Sequence, residues 1–476
     1  MIDGLKPYPE YKDSGAPWLG SLPSHWSVLP NRALFAEVKD RNHPDEEMLS
    51  VTITRGVIRQ TALLVDSAKK DSSNLDRSAY KLVCPDDIAY NKMRAWQGAI
   101  GVSDYRGIIS PAYVVMRLRD DYNPRYFHEL YRTPHFAKEA ERWSYGITSD
   151  MWSLRPEHFK MIYSAIPPHD EQDAIVRFLD YANRRIERYI RAKKKLIALL
   201  NEQRQAIIHR AVTRGLNPNV RLKPSGIAWL GEIPEHWEIV ALRRYWTVTD
   251  CKHLTVPFVE DGIPLASVVE VQEFRLNFRR CKKTIPKWYH VLIQGDRKPE
   301  QGDLIYCRNV SVGACAIVET DIDFAMGQDV CLIRSRSQNQ RFLNYLLHSP
   351  FMKHQLEILL VGSTFKRINI SEIKALTVLV PRKAEQDAIC DFLDRELATF
   401  DTAIARSERE IALIREYRTR LIAAVVTGQL DVRAAAAKLL EEPVERESLD
   451  DDEALVESEQ VLNESDLEAD TVEKHA

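Results

Sequence analysis

The feature that most restricts this fold is residues 170–214, a 45-residue run holding neither Pro nor Gly. Acidic residues fill its first turn just after Pro167-Pro168, and Gly215 with Asn217-Pro218 ends it, so the run predicts one helix. At ~1.5 Å per residue it would be ~67 Å long. The same helix occurs twice. Glu385-Gln386-Asp387-Ala388-Ile389 repeats Glu171-Gln172-Asp173-Ala174-Ile175 at an offset of 385 − 171 = 214, and Thr427 matches Thr213 at that offset without a gap. One register in each copy alternates steps of three and four: Ile186, Ile190, Lys193, Ile197, Leu200, Arg204, Ile207, Ala211 against Phe400, Ile404, Ser407, Ile411, Ile414, Arg418, Leu421, Val425. That is a coiled-coil seam, and its polar members fall at matching places, as a register device would.

A second repeated motif precedes each globular stretch. Trp18-Leu19-Gly20 with Pro23 and His25-Trp26 recurs as Trp229-Leu230-Gly231 with Pro234 and His236-Trp237, at an offset of 229 − 18 = 211. The blocks between, roughly 27–166 and 238–380, mix short β-rich runs with turns and one short helix each, and their sequences diverge. A thread still joins them at an offset of 216: Asp87-Ile88-Ala89-Tyr90 with Asp303-Leu304-Ile305-Tyr306, Lys92 with Arg308, Thr148 with Thr364. The chain is therefore a tandem repeat of variable block and long helix. Two similar helices in one chain bury their seams most simply by pairing antiparallel about a pseudo-twofold axis, with the blocks at opposite ends of a rod.

Charge narrows the function. The formal net charge is −3, but residues 441–476 hold fifteen acidic residues against Arg446 and Lys474, a net of −13. The rest carries −3 + 13 = +10, the order expected of a polyanion binder. The acidic stretch, with almost no aromatics, reads as a disordered, solubilising extension. No apolar run reaches membrane-spanning length and the N-terminus lacks signal-peptide character, so a cytoplasmic protein is expected. Seven cysteines show no metal or disulfide spacing.

The chain also lacks phosphate-loop, dinucleotide, amino-methyltransferase, zinc-protease and nucleophile-elbow motifs, so no catalytic residues and no metal site are assigned. The blocks instead offer basic and amide side chains among aromatics. Lys92, Arg94 and Gln97, followed by Tyr105 and Arg106, fall between two expected strands, and Arg308-Asn309 take that place in the second block. A second loop, 145–152 with Thr148, matches 362–367 with Thr364, Lys366 and Arg367. Arg, Lys, Gln and Asn suit major-groove base edges, while Gly and Thr allow close approach to phosphate.

With the duplicated Trp-Leu-Gly-x-x-Pro-x-His-Trp motifs, the duplicated Glu-Gln-Asp-Ala-Ile helix starts and the divergent blocks between them, the sequence resembles the specificity subunit of type I restriction-modification systems over residues 10–432. The resemblance implies an α/β (α+β) chain with a pseudo-twofold internal repeat. Two globular target recognition domains, 1–166 and 217–380, would be separated by two long antiparallel coiled-coil spacer helices, 167–216 and 381–432, with an acidic tail over 433–476 that departs from the family. Each recognition domain would read one half of a split, asymmetric sequence in double-stranded DNA. The helices would dock two methyltransferase subunits, and restriction/translocase subunits would join them. No cofactor is expected in this chain; S-adenosylmethionine, ATP and Mg would belong to the partners, as would catalysis. Two alternatives remain, a self-contained DNA methyltransferase-nuclease and a coiled-coil scaffold that binds no DNA. Binding of S-adenosylmethionine by the chain alone separates the first, and the +10 body speaks against the second.

Overall fold

The computed structural model describes residues 5–61, 77–147, 151–360 and 367–439; Thr148, Thr364, Lys366 and the acidic stretch 441–476 lie outside them. Packing divides the described residues into two compact units, one drawn from 5–191 and 410–439 and one from 192–409.

The first unit is built on a four-stranded antiparallel sheet of β1 (Phe35–Val38), β2 (Ile88–Asn91), β3 (Ile100–Val102) and β4 (Tyr113–Leu118), in the order β1-β4-β2-β3. Register is set by burial: Val115 pairs with Ala89 on one side and Val38 on the other, and β2 is buried along its whole length. Ser27–Pro30 pairs with Tyr163–Ile166, so the start and end of the block are clasped together. Three residues beyond the clasp begins a 46-residue helix, α1 (His169–Arg214).

The second unit repeats this strand order. Its sheet of β5 (Thr247–Asp250), β6 (Leu304–Cys307), β7 (Cys315–Ile317) and β8 (Val330–Arg334) runs β5-β8-β6-β7. Glu238–Ala241 pairs with Thr377–Val380, and a 44-residue helix, α2 (Lys383–Val426), follows. In both sheets a bidentate Arg-Asp pair joins the second strand's approach to the last strand: Arg117 donates to Asp87 at 2.7 Å and Arg334 to Asp303 at 2.8 and 2.6 Å.

Each unit completes its core with segments of both long helices. In the first, Ile175, Phe178, Leu179 and Ala182 of α1 join Leu421, Val425 and Val426 of α2. In the second, Ile208, Ala211 and Val212 of α1 join Ile389, Leu393 and Leu397 of α2. All sixteen positions of the predicted seam are buried or partly buried, whereas residues between them, such as Arg184, Arg188, Glu408 and Glu416, are exposed. Within the first unit Arg418 donates to Asn183 at 3.0 Å and pairs with Glu187 at 3.2 Å, and Tyr189 donates to Glu410 at 3.0 Å. Rising numbers on α1 therefore meet falling numbers on α2. Within the second unit Arg204 pairs with Asp401 at 3.4 Å.

Two expectations are corrected. The blocks hold more than one short helix each: the described residues of the first include Pro124–Tyr131, Pro134–Arg142 and Pro156–Met161. The prolines that read as turn formers sit in the first helical turn, where the missing N–H costs nothing, behind the caps Asn123 and Thr133. The tail also begins later than 433. Arg433–Ala437 forms a helix, with Val432 and Ala436 in the first unit's core, because the alanine run has high helix propensity and the acid-rich composition starts only at Glu441.

Candidate nucleic-acid interface

The repeated motifs turn out to be one hydrogen-bonded lock, built once in each unit. Glu171 is buried at the start of α1 and accepts from Trp26 Nε1 at 3.0 Å, from His25 at 2.8 Å and from the Tyr8 hydroxyl. Glu385 at the start of α2 accepts from Trp237 Nε1 at 3.1 Å and His236 at 2.8 Å. The next residue, Gln172, accepts from the Asn123 backbone N–H at 2.9 Å and donates to the Pro167 carbonyl at 2.9 Å; Gln386 does the same for Asn339 and Pro381 at 2.9 and 2.8 Å. Asp173 accepts from the Asn123 amide at 2.7 Å. Each residue of the Glu-Gln-Asp motif thus has its own partners, which fix the long helix against its block.

The candidate loops lie apart from this lock, on the connections between sheet strands. In the first unit Lys92, Arg94 and Gln97 lie on the connection from β2 to β3, where a short 3₁₀ turn, Ala95–Gln97, ends on left-handed Gly98. The second expected loop is joined to it: Leu154 N–H donates to the Lys92 carbonyl at 2.9 Å, and Trp96 meets Trp152 edge to face at 5.6 Å. Arg94 donates to Gln97 at 3.3 Å. In the second unit the same join recurs, because Ile368 N–H donates to the Arg308 carbonyl at 2.9 Å and Asn309 bridges Arg367. Loops far apart in sequence are therefore brought to one place in each unit.

The candidate residues are not equally available. Tyr105 packs against the small apolar cluster that includes Val51 and Val57, under the Arg59 guanidinium, 4.8 Å from its ring, and Arg106 is held by Glu46 at 2.7 Å. Arg308 is only 4 % exposed; its guanidinium is bound by Asp250 and lies 3.4 Å from both the Ile368 carbonyl and His253 Nε2. Burial works against the Asp250 carboxylate, but the His253 and Arg308 hydrogen bonds hold its pKa below the usual range. Asp250, Cys251 and His253 are close enough to hold a metal ion, yet a cation there would compete with the Arg308 charge for Asp250. Asp250 and His253 instead cradle Arg308. Asn309 and the half-exposed Arg367 both reach Asp329, at 3.4 and 3.9 Å.

Sequence reasoning missed one basic cluster. Lys81 lies beside Arg41 on a strand bridge, and burial, then the Lys92 charge, push its pKa down. Lys39 and Arg41 add to that field. Arg41 and Lys81 come together through a β bridge between residues 40 positions apart, so no local pattern announces them. Glu37, which pairs with Lys39 at 3.6 Å and Lys160 at 3.4 Å, offsets part of this charge, and the basic excess that is left suits an anionic partner.

The family model for the type I restriction modification DNA specificity domain matches residues 275–412, which include Arg308, Asn309, Arg367 and about the first two thirds of α2. The chain is 24 % identical over 283 residues to the type I restriction enzyme MjaVIII specificity subunit of Methanocaldococcus jannaschii, covering 58 % of this chain and 64 % of that protein. A further M. jannaschii chain designated as the MjaX specificity subunit is 21 % identical over 435 residues, 87 % of this chain and 96 % of the relative. The StySPI specificity subunit of Salmonella potsdam is 30 % identical over 214 residues, 42 % of this chain and 44 % of its own length. Among solved structures, a chain from a study of complex assembly and conformational transition in the type I R-M system superimposes with a TM-score of 0.60 at 15 % identity, over 85 % of this chain and 98 % of that one.

Proposed function

We propose that the chain is a type I restriction-modification specificity subunit, as its similarity to such subunits supports, and that it reads a bipartite, asymmetric sequence in double-stranded DNA, one half with each unit. Its part in such a system is recognition, with catalysis left to other subunits. The observation that carries the reading is the repeated junction of two loops at each sheet, bearing Lys92, Arg94 and Gln97 in one unit and Asn309 and Arg367 in the other. The loop residues outside the described stretches, Thr148, Thr364 and Lys366, belong to the same proposal.

The paired stripes on α1 and α2 support an antiparallel coiled coil that relates the two repeats and serves as the docking surface for two methyltransferase subunits and, through them, the restriction/translocase subunits. S-adenosylmethionine, ATP and Mg act in those partners, and this chain binds none of them. No helix among the described residues is long and apolar enough to cross a membrane. Action on DNA in the cytoplasm is part of the same proposal.

The test is duplex binding by the full chain across a salt series. Phosphate contacts make log K fall linearly with log salt. Arg94→Ala and Arg367→Ala should each weaken the preferred duplex by about 1–3 kcal/mol, in one half-site only. Salt-independent binding, or tight S-adenosylmethionine binding by the chain alone, would count against the assignment.

A further inference from the structure

The second unit holds a strained apolar residue where the recognition loop is most exposed. Val310 has φ +60° and its side chain stands 75 % exposed. The other non-glycine residues in the left-handed region among those described are Asn42, Asp86, His253, Phe274, Asp296 and Asp329. Asn and Asp tolerate that backbone; a β-branched valine is a genuine outlier. Burial of the isopropyl group does not repay the strain.

The strain is enforced from around the loop. Val310 N–H donates to Asn309 Oδ1 at 3.0 Å, and Ser311 N–H to the Asn309 carbonyl at 2.7 Å. Arg308 N–H donates to the carbonyl of Asp329, itself at φ +61°, at 2.8 Å. The Arg308 guanidinium is clamped in turn by Asp250 and lies beside His253, at φ +49°. Two left-handed residues, Asp329 and His253, therefore meet on one buried arginine, and the third, Val310, follows it by two positions along the chain. Strain that the surroundings over-determine gathers where a ligand is met.

Position supplies the chemistry. Val310 is the third residue after β6 ends at Cys307, and Arg94 is the third after β2 ends at Asn91. The same step of the loop thus carries a guanidinium in one unit and an isopropyl group in the other. In the major groove a guanidinium matches guanine O6 and N7, whereas the feature that an apolar side chain reads is the C5-methyl of thymine.

We propose that Val310 is a specificity-determining residue that packs on a thymine methyl in the half-site read by the second unit, held there by the Arg308 clamp. The inference rests on the DNA-reading assignment above. The experiment uses the full chain and its selected target duplex, with each thymine replaced in turn by uracil, which removes only the methyl. One replacement in the second unit's half-site should weaken wild-type binding about 3- to 10-fold. Val310→Ala should bind the thymine and uracil duplexes equally and leave the Arg94 half-site unaffected. Val310→Asn, which suits the left-handed backbone, should match or exceed the wild-type melting temperature and still lose the discrimination. Sequence-specific binding indifferent to every thymine replacement, or full discrimination by Val310→Ala, would overturn the role of Val310 alone. Absence of any sequence preference in the wild type would overturn the DNA-reading assignment with it.

Discussion

At the residue scale, the two motifs that mark each repeat explain each other, since Glu171 serves Tyr8, His25 and Trp26, and Glu385 serves His236 and Trp237. Glu171→Ala would orphan buried donors and should cost about 2–4 kcal/mol in a denaturant melt. Glu385→Ala should cost less, because the Glu385 side chain is 29 % exposed against 2 % for Glu171. Equal losses would contradict the ranking by burial, and no loss at either position would mean the locks are not what holds the helices to their blocks. A second residue sets a pH dependence. His128 accepts from Val102 N–H through Nδ1 at 3.2 Å, and burial, then the Arg132 and Arg125 charges, lower its pKa from 6.5 to about 3. Glu129 beside it is also buried, with its own pKa raised by desolvation. A depressed histidine adds stability that is complete above its unfolded pKa and is lost as pH falls toward the folded one. The melting temperature should therefore drop between about pH 7 and pH 5, and His128→Gln should flatten that drop. An unchanged slope would exclude His128 as its source. The motifs were legible in the sequence as repeats, but their bonds were not, because 146 residues separate His25 from Glu171.

At the scale of elements, the long helices were the most legible part of the chain, since a run without Pro or Gly and a three-four stripe depend only on local order. Burial follows that stripe, with one drift. At the end of α1 it is Ile208 and Val212, not only Ile207 and Ala211, that enter the core, as expected when a 3.6-residue helix departs from a 3.5-residue repeat and the block closes around it. Leu200→Asp or Ile414→Asp places a charge on the stripe and should lower stability by about 2–4 kcal/mol, read by circular dichroism. A melt like that of the wild type would contradict burial of the stripe. The block sheets were less legible. The presence of short β-rich runs could be read from the sequence, but the shared order of first, last, second and third strand depends on long-range pairing that a sequence does not display. The availability of Arg308 was illegible for the same reason: its partner Asp250 lies 58 residues away on another strand.

At the scale of the whole molecule, each unit takes part of its core from the helix that belongs to the other repeat. A fragment of residues 1–225 would lack Leu421, Val425 and Val426 and leave the first unit's core open. The end of α1 carries Ile207, Ile208, Ala211 and Val212 at the corresponding turns, so a second copy can supply the missing wall. The fragment should be a twofold dimer by light scattering, and a stable monomer would argue against equivalence of the two repeats. The central claim, that two units read two different half-sites, is tested most directly by selecting duplexes from a random pool with the full chain and sequencing those bound. The account predicts two unlike half-sites at a fixed separation, with Arg94→Ala blurring one and Arg367→Ala blurring the other. A single contiguous motif, or a variant that blurs both halves together, would contradict it.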